Sequence, residues 1–143
     1  AMEFPRAKVG GSAYDFSFSG MKSAVLNYIN QAQMKGETIS VPDLCASFQN
    51  AVVDVLVSRA VAAAKEYGYD KLAIAGGVAS NSALRQGMKE ACDKEGLKLY
   101  YPSPIYCTDN AAMIGAAAYY EYINGARAGW DLNAVPNLKL GER

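Results

Sequence analysis

One stretch constrains this chain more than any other: Leu72-Ala73-Ile74-Ala75-Gly76-Gly77-Val78-Ala79-Ser80-Asn81. It begins as an apolar run that reads as a short buried strand, breaks on two glycines, and ends on an Asn placed to cap a helix opening at Ser82. The turn has no Cβ to block close approach. The helix start offers unpaired backbone N–H groups and the positive end of a dipole, which together suit an anion or a nucleotide. A second polar strand-to-helix corner lies at Thr108-Asp109-Asn110.

The rest of the chain fits around these corners. Residues 14–18 alternate aromatic and polar side chains, as in a short strand, and Ser19 stands as the N-cap of a first helix. Ala24, Val25, Tyr28, Ile29 and Ala32 recur at helical spacing up to Gly36. Ser40 and Pro42 open a second helix, with Leu44, Phe48, Val52, Val55 and Leu56 on one face and small residues at 60–64. Its apolar arc is wide enough to predict a largely buried helix ending at Gly68. A strand over 71–75 then enters the first corner. Leu84, Met88 and Ala91 mark the next helix, stopped by Gly96. Leu97, Leu99 and Tyr101 alternate as another strand, which Pro102 and Pro104 force out of the sheet. An Ala-rich helix from 111 to about 123 ends at Gly125, and residues after Trp130 show no period.

Strands alternating with helices predict an α/β fold with parallel strands, and ligands in such sheets bind beyond the strands' carboxyl ends, where both corners lie. Two clear strands are few. A sheet that small leaves edges open, so the chain reads as part of a larger lobe that would self-associate through them. The sequence divides into an arm (1–13), a lobe segment (14–125) and a surface tail (126–143).

The chain has 143 residues and no histidine, which removes the commonest general base, the commonest metal ligand and the usual activator of a Ser or Cys nucleophile. Cys45, Cys92 and Cys107 form no CxxC pair and fit reduced thiols in a cytoplasmic protein. Lys plus Arg equals Asp plus Glu, which argues against nucleic-acid binding by bulk charge. The charge-free runs are too short to span a bilayer, and no signal peptide is visible. No Walker A loop, GxGxxG, GxSxG or HExxH is present.

Each polar corner has two meanings. Locally, Gly76-Gly77…Asn81 is a tight turn with an Asn cap worth about 1 kcal/mol. Functionally, the glycines would face a phosphate or ribose, and Asn81 would bond a hydroxyl or a base edge. Asp109 before a helix is most often a cap. As a metal ligand it supplies at most two oxygens, so any partners would lie outside this chain, with Thr108 and Asn110 orienting the carboxylate. Lys22, near the first turn of its helix, reads as solvated or as a phosphate contact. Arg85, Lys89, Lys94 and Lys98 read as a solvated flank or a weak RNA-facing stripe.

Four segments together resemble one family: Phe16-Ser17-Phe18-Ser19-Gly20-Met21-Lys22-Ser23-Ala24-Val25, Ala46-Ser47-Phe48-Gln49-Asn50-Ala51-Val52-Val53-Asp54-Val55-Leu56, Ala75-Gly76-Gly77-Val78-Ala79-Ser80-Asn81 and Cys107-Thr108-Asp109-Asn110-Ala111-Ala112-Met113-Ile114. They look like TsaD, the tRNA threonylcarbamoyladenosine transferase once labelled O-sialoglycoprotein endopeptidase. The resemblance implies a helix-rich, partial ASKHA lobe (related to actin and Hsp70) with a small, mainly parallel sheet. It implies transfer of a threonylcarbamoyl group from threonylcarbamoyl-AMP to the adenosine beside the tRNA anticodon, with TsaB, TsaE and a TsaC-type synthase as partners. By this resemblance Asn81, Gly76 and Gly77 bind the nucleotide substrate, and Asp109 is one ligand of a metal, usually iron. The family's two metal-binding His and its Ser-Gly-Gly-His-Thr loop have no counterpart here, so the chain is expected to be a C-terminal part, inactive alone and a weak metal binder at best. No catalytic residue is assigned. The competing readings are another ASKHA protein (a carbamoyltransferase or sugar kinase) and a non-catalytic assembly module. The old peptidase label has no residues here to run it.

Overall fold

A computed structural model describes Phe4, Arg6 and residues 14–139. The expected arm at 1–13 and the end of the tail therefore lie outside the described residues, Phe4 and Arg6 excepted. The elements run α1 (Ser19–Lys35), α2 (Val41–Glu66), β1 (Lys71–Ala73), a 3₁₀ turn (Gly77–Ser80), α3 (Ser82–Glu95), β2 (Lys98–Tyr100), a second 3₁₀ turn (Pro104–Tyr106) and α4 (Ala111–Ile123). The fold class is the expected one: α/β, helix-rich, with a small parallel sheet. The chain divides into two compact units, Ala1–Thr108 and Asp109–Arg143, and the division falls inside the 14–125 stretch.

In the first unit, β1 and β2 pair in parallel with Leu72 opposite Leu99, and the crossover between them is α3. Two apolar clusters hold this unit. Phe4, Met21, Leu44 and Ala51 join α1 to α2. Val61, Leu84, Met88 and Cys92 join α2 to α3 and the sheet. Gly87 on α3 brings the two helices close: a Cβ there would lie 3.2 Å from Val53 Cγ1, tighter than ordinary packing. The helix stops fall where the glycines predict. Gly36 and Gly96 are left-handed C-caps, at φ 69° and 71°, and Gly68 takes the same conformation just after α2.

Three expectations about this unit are corrected. Residues 14–18 form no strand, because the sheet reaches no partner for them. Side chains of α2 hold the segment instead: Arg59 donates to the Asp15 carbonyl and Tyr14 Oη to Glu66, while Phe16 stacks on Phe18. Ser19 is the first helical residue and not the cap. Phe18 occupies the cap position without a side-chain bond, and Ser19 Oγ lies 2.9 Å from Ser17 Oγ. Neither β1 nor α2 is as buried as its apolar pattern predicts. Lys71 and Ala73 are exposed, and α2 buries only Leu44, Ala51, Val55, Val61 and Ala64. By length and composition α2 could cross a membrane, but here it packs on α3.

The second unit contains α4 and the tail. No residue of α4 is buried, and Met113, Ile114, Tyr119, Tyr120 and Ile123 are exposed. Trp130 in the tail is exposed as well.

Candidate nucleotide-binding site

The last rung of the sheet is the bond from Ile74 N–H to the Tyr100 carbonyl, at 3.0 Å. Past it, both strands run into loops at their carboxyl ends, where an α/β sheet takes its ligands. The first loop carries the glycine corner. Gly76 has φ 87° and ψ 170°, a conformation closed to residues with a Cβ, whereas Gly77 has ordinary backbone and a Cβ there would touch Thr108 Cγ2 at 3.7 Å. The two glycines therefore differ: the first shapes the turn, and the second sits against the other loop.

Between the glycine turn and α3 the structure adds an element that the sequence pattern did not show. A 3₁₀ turn intervenes, closed by Ala79 N–H to the Gly76 carbonyl, Asn81 N–H to the Val78 carbonyl and Ser80 Oγ to the Gly77 carbonyl at 2.6 Å. This winding spends part of the corner's donors internally. Asn81 caps α3 as expected, with its Oδ1 accepting from Leu84 N–H at 2.9 Å. Its Nδ2 donates to Gln49 Oε1 at 3.0 Å, so a residue of α2 orients the amide. One Nδ2 hydrogen and one Oδ1 lone pair remain for a ligand.

Asn81 stands at the edge of a cavity of about 620 Å³ between α1, α2 and this corner. Phe18, Phe48, Val52 and Val78 supply apolar walls, and Lys22 and Gln49 supply polar groups. Apolar walls with a few convergent polar groups are the usual make-up of a small-molecule site. Sequence reasoning missed Phe48 and Gln49, whose roles appear only when α2 lies beside the corner. It also misread Arg85. That side chain is half-buried and turned inward, donating to the carbonyls of Ala79 and Pro102 at 2.5 and 2.8 Å. Two of the other cations are engaged as well: Lys89 pairs with Asp93 at 2.6 Å, which raises its pKa, and Lys98 lies over the Tyr100 ring. Near the far end of α3, burial pushes the Cys92 thiol pKa up.

In the second unit, Asp109 is not a cap. Asn110 is, with Oδ1 accepting from Met113 N–H at 3.0 Å, and the Asp109 carboxylate is exposed. Among the described residues no three His, Cys, Asp or Glu side chains gather, and the sequence holds no His. One exposed carboxylate does not make a metal site, so the residues present do not fit a metal on their own.

Comparison with known proteins decides the family. A family model described as TsaD, tRNA N6-adenosine threonylcarbamoyltransferase, matches residues 1–116. The chain belongs to the TsaD family. Among curated relatives bearing that same name, those of Clostridium botulinum, Clostridium perfringens and Clostridium beijerinckii are 58%, 56% and 55% identical over all 143 residues. The chain spans 42% of the length of each of these relatives. Family membership gives the four motifs a common source, and the cavity joins three of them: Phe18 and Lys22, Phe48 and Gln49, Val78 and Asn81.

Proposed function

We propose that this chain forms one wall of the nucleotide site of a tRNA threonylcarbamoyladenosine transferase, working at an ASKHA-type cleft closed by a second lobe that the chain does not supply. The observation that carries the reading is Asn81, which caps α3, is held by Gln49 and lines an apolar cavity. The chemistry asks for such a wall. Threonylcarbamoyl-AMP is a reactive mixed anhydride. Its carbonyl is attacked by the exocyclic amine of the adenosine beside the tRNA anticodon, a C–N bond forms, and AMP leaves with the broken C–O bond. Water competes with the amine, so apolar walls that hold the adenylate protect the reagent as well as position it.

In this proposal the Asn81 amide takes a ribose hydroxyl or a base edge, the backbone at Gly76 and Gly77 lets the nucleotide approach, and Phe18 and Phe48 flank its apolar parts. Asp109 is the single ligand this chain would give to a metal, iron, which would act as a Lewis acid when bound. The other ligands would come from outside the chain. TsaB- and TsaE-type proteins and tRNA are the proposed partners, and the cytoplasm the proposed compartment.

Complementation tests the reading. The chain is mixed or co-expressed with the missing N-terminal part, and threonylcarbamoyladenosine is measured on tRNA. Activity is expected from the pair and none from the chain alone, with loss in Asn81→Ala and in Asp109→Ala. Full activity in Asp109→Ala would remove the metal assignment. A pair that folds and binds tRNA but transfers nothing would favour an assembly module.

A further inference from the structure

Arg85 is the fourth residue of α3, and its guanidinium reaches three places at once. Nε donates to the Ala79 carbonyl at 2.5 Å, inside the 3₁₀ turn two residues before Asn81. Nη2 donates to the Pro102 carbonyl at 2.8 Å and lies 3.2 Å from Cys107 Sγ, both on the loop that leaves β2. The plane sits over the Tyr101 ring, 4.7 Å from its centroid. That same loop carries Thr108, whose methyl would lie 3.7 Å from a Cβ placed on Gly77. The two loops part from the sheet at the rung between Ile74 and Tyr100, and this one side chain spans the gap beyond it.

We propose that Arg85 is a positioning residue of the nucleotide site: it clamps the Gly76–Asn81 corner to the loop 101–108 and so fixes where the Asn81 amide points. The inference rests on the transferase reading only for the identity of the ligand. The clamp needs the fork of an arginine. A lysine carries the charge but offers one compact donor group, which cannot serve two carbonyls on different loops while covering a ring. Cys107 reports on the clamp, because it is buried against the guanidinium and touches the Pro102 and Ser103 carbonyls. Cys92, fully buried in the core of the same unit, reports on global opening instead, and exposed Cys45 sets the unprotected rate.

The test compares wild type, Arg85→Lys and Arg85→Met by timed thiol labelling, with each cysteine resolved by peptide mass spectrometry. Both variants are expected to raise the Cys107 labelling rate at least tenfold and to leave Cys92 within twofold of wild type. Amide hydrogen exchange at Ala79 and Asn81 is expected to quicken with it. Unchanged labelling at Cys107 would overturn the proposal. So would Cys92 and Cys107 rising together in Arg85→Lys, since that is a fold-wide role. In the complemented protein, Arg85→Lys is expected to raise KM for threonylcarbamoyl-AMP at least fivefold with KM for tRNA unchanged, whereas a stability role would lower kcat alone and overturn the clamp. If the complemented wild type transfers nothing, the transferase reading falls, and the thiol and exchange measurements still decide the clamp.

Discussion

The two corners use the same local device and end in different places. Asn81 and Asn110 each cap a helix through Oδ1, with bonds of 2.9 and 3.0 Å to the third residue on. Behind Asn81, α3 buries Leu84, Met88 and Cys92, while behind Asn110, α4 buries nothing. Around Asn81 stand Gln49, Arg85 and a cavity wall. Asp109, beside Asn110, is an exposed carboxylate. A cap fixes where a helix begins but does not make a site. A site also needs side chains from distant parts of the chain converging on the cap, as Gln49 does at Asn81.

The sharpest way to break this contrast is to truncate the side chains behind each cap. Met88→Ala is expected to cost about 2–5 kcal/mol, the range for emptying a packed core position, and Ile114→Ala less than about 0.5 kcal/mol, as for an exposed site. Urea unfolding measures both, and equal losses would mean that α4 is as well packed as α3. The glycines come next. Gly76→Ala forces a Cβ into a positive-φ conformation and is expected to cost about 1–3 kcal/mol, while Gly77→Ala makes only an ordinary contact with Thr108 and should be nearly neutral. Thermal melts of the two variants compare them directly.

Smaller effects sharpen the comparison of the caps themselves. Asn110→Ala is expected to cost about 1 kcal/mol and Asn81→Ala somewhat more, because Gln49 then loses its partner. The smallest effect tests the flank of α3. Lys65 holds the Glu95 pKa below the usual carboxylate range, through a hydrogen bond first and its charge second. A carboxylate whose folded pKa is depressed adds stability above its unfolded pKa and loses it as pH falls through the folded value. Glu95→Gln should therefore lower the neutral plateau of a stability profile slightly and meet the wild-type profile in acid, where the contribution is already lost. In 1 M salt the two profiles should converge.

Much of this could be read along the chain. Helix starts and stops depend on single residues and their neighbours, so Gly36, Gly96, Pro42 and Asn81 announced their roles. The prolines at 102 and 104 ended β2 as expected, since neither can donate to a ladder. What misled were patterns whose meaning depends on a partner. Residues 14–18 alternate like a strand, but a strand exists only where another strand pairs with it. The apolar arc of α2 promises burial, but nothing in the chain states how much of the arc another element will cover. Asp109 and Asn110 are both cap residues, and backbone geometry at the helix start chose the second.

The sequence alone determined the order of the four helices and the two paired strands, the parallel crossover, both cap-bearing corners and, through four motifs, the family. These depend on spacing and local conformational preference, which need no knowledge of distant neighbours. Only the tertiary structure decided that Gln49 orients Asn81, that Phe18 and Phe48 wall the cavity beside it, and that Arg85 turns inward to join two loops. Each of these joins residues distant in the chain, more than thirty positions apart for Gln49 and Asn81. Such pairings are set by how α2 and α3 pack, not by any pattern a single segment carries.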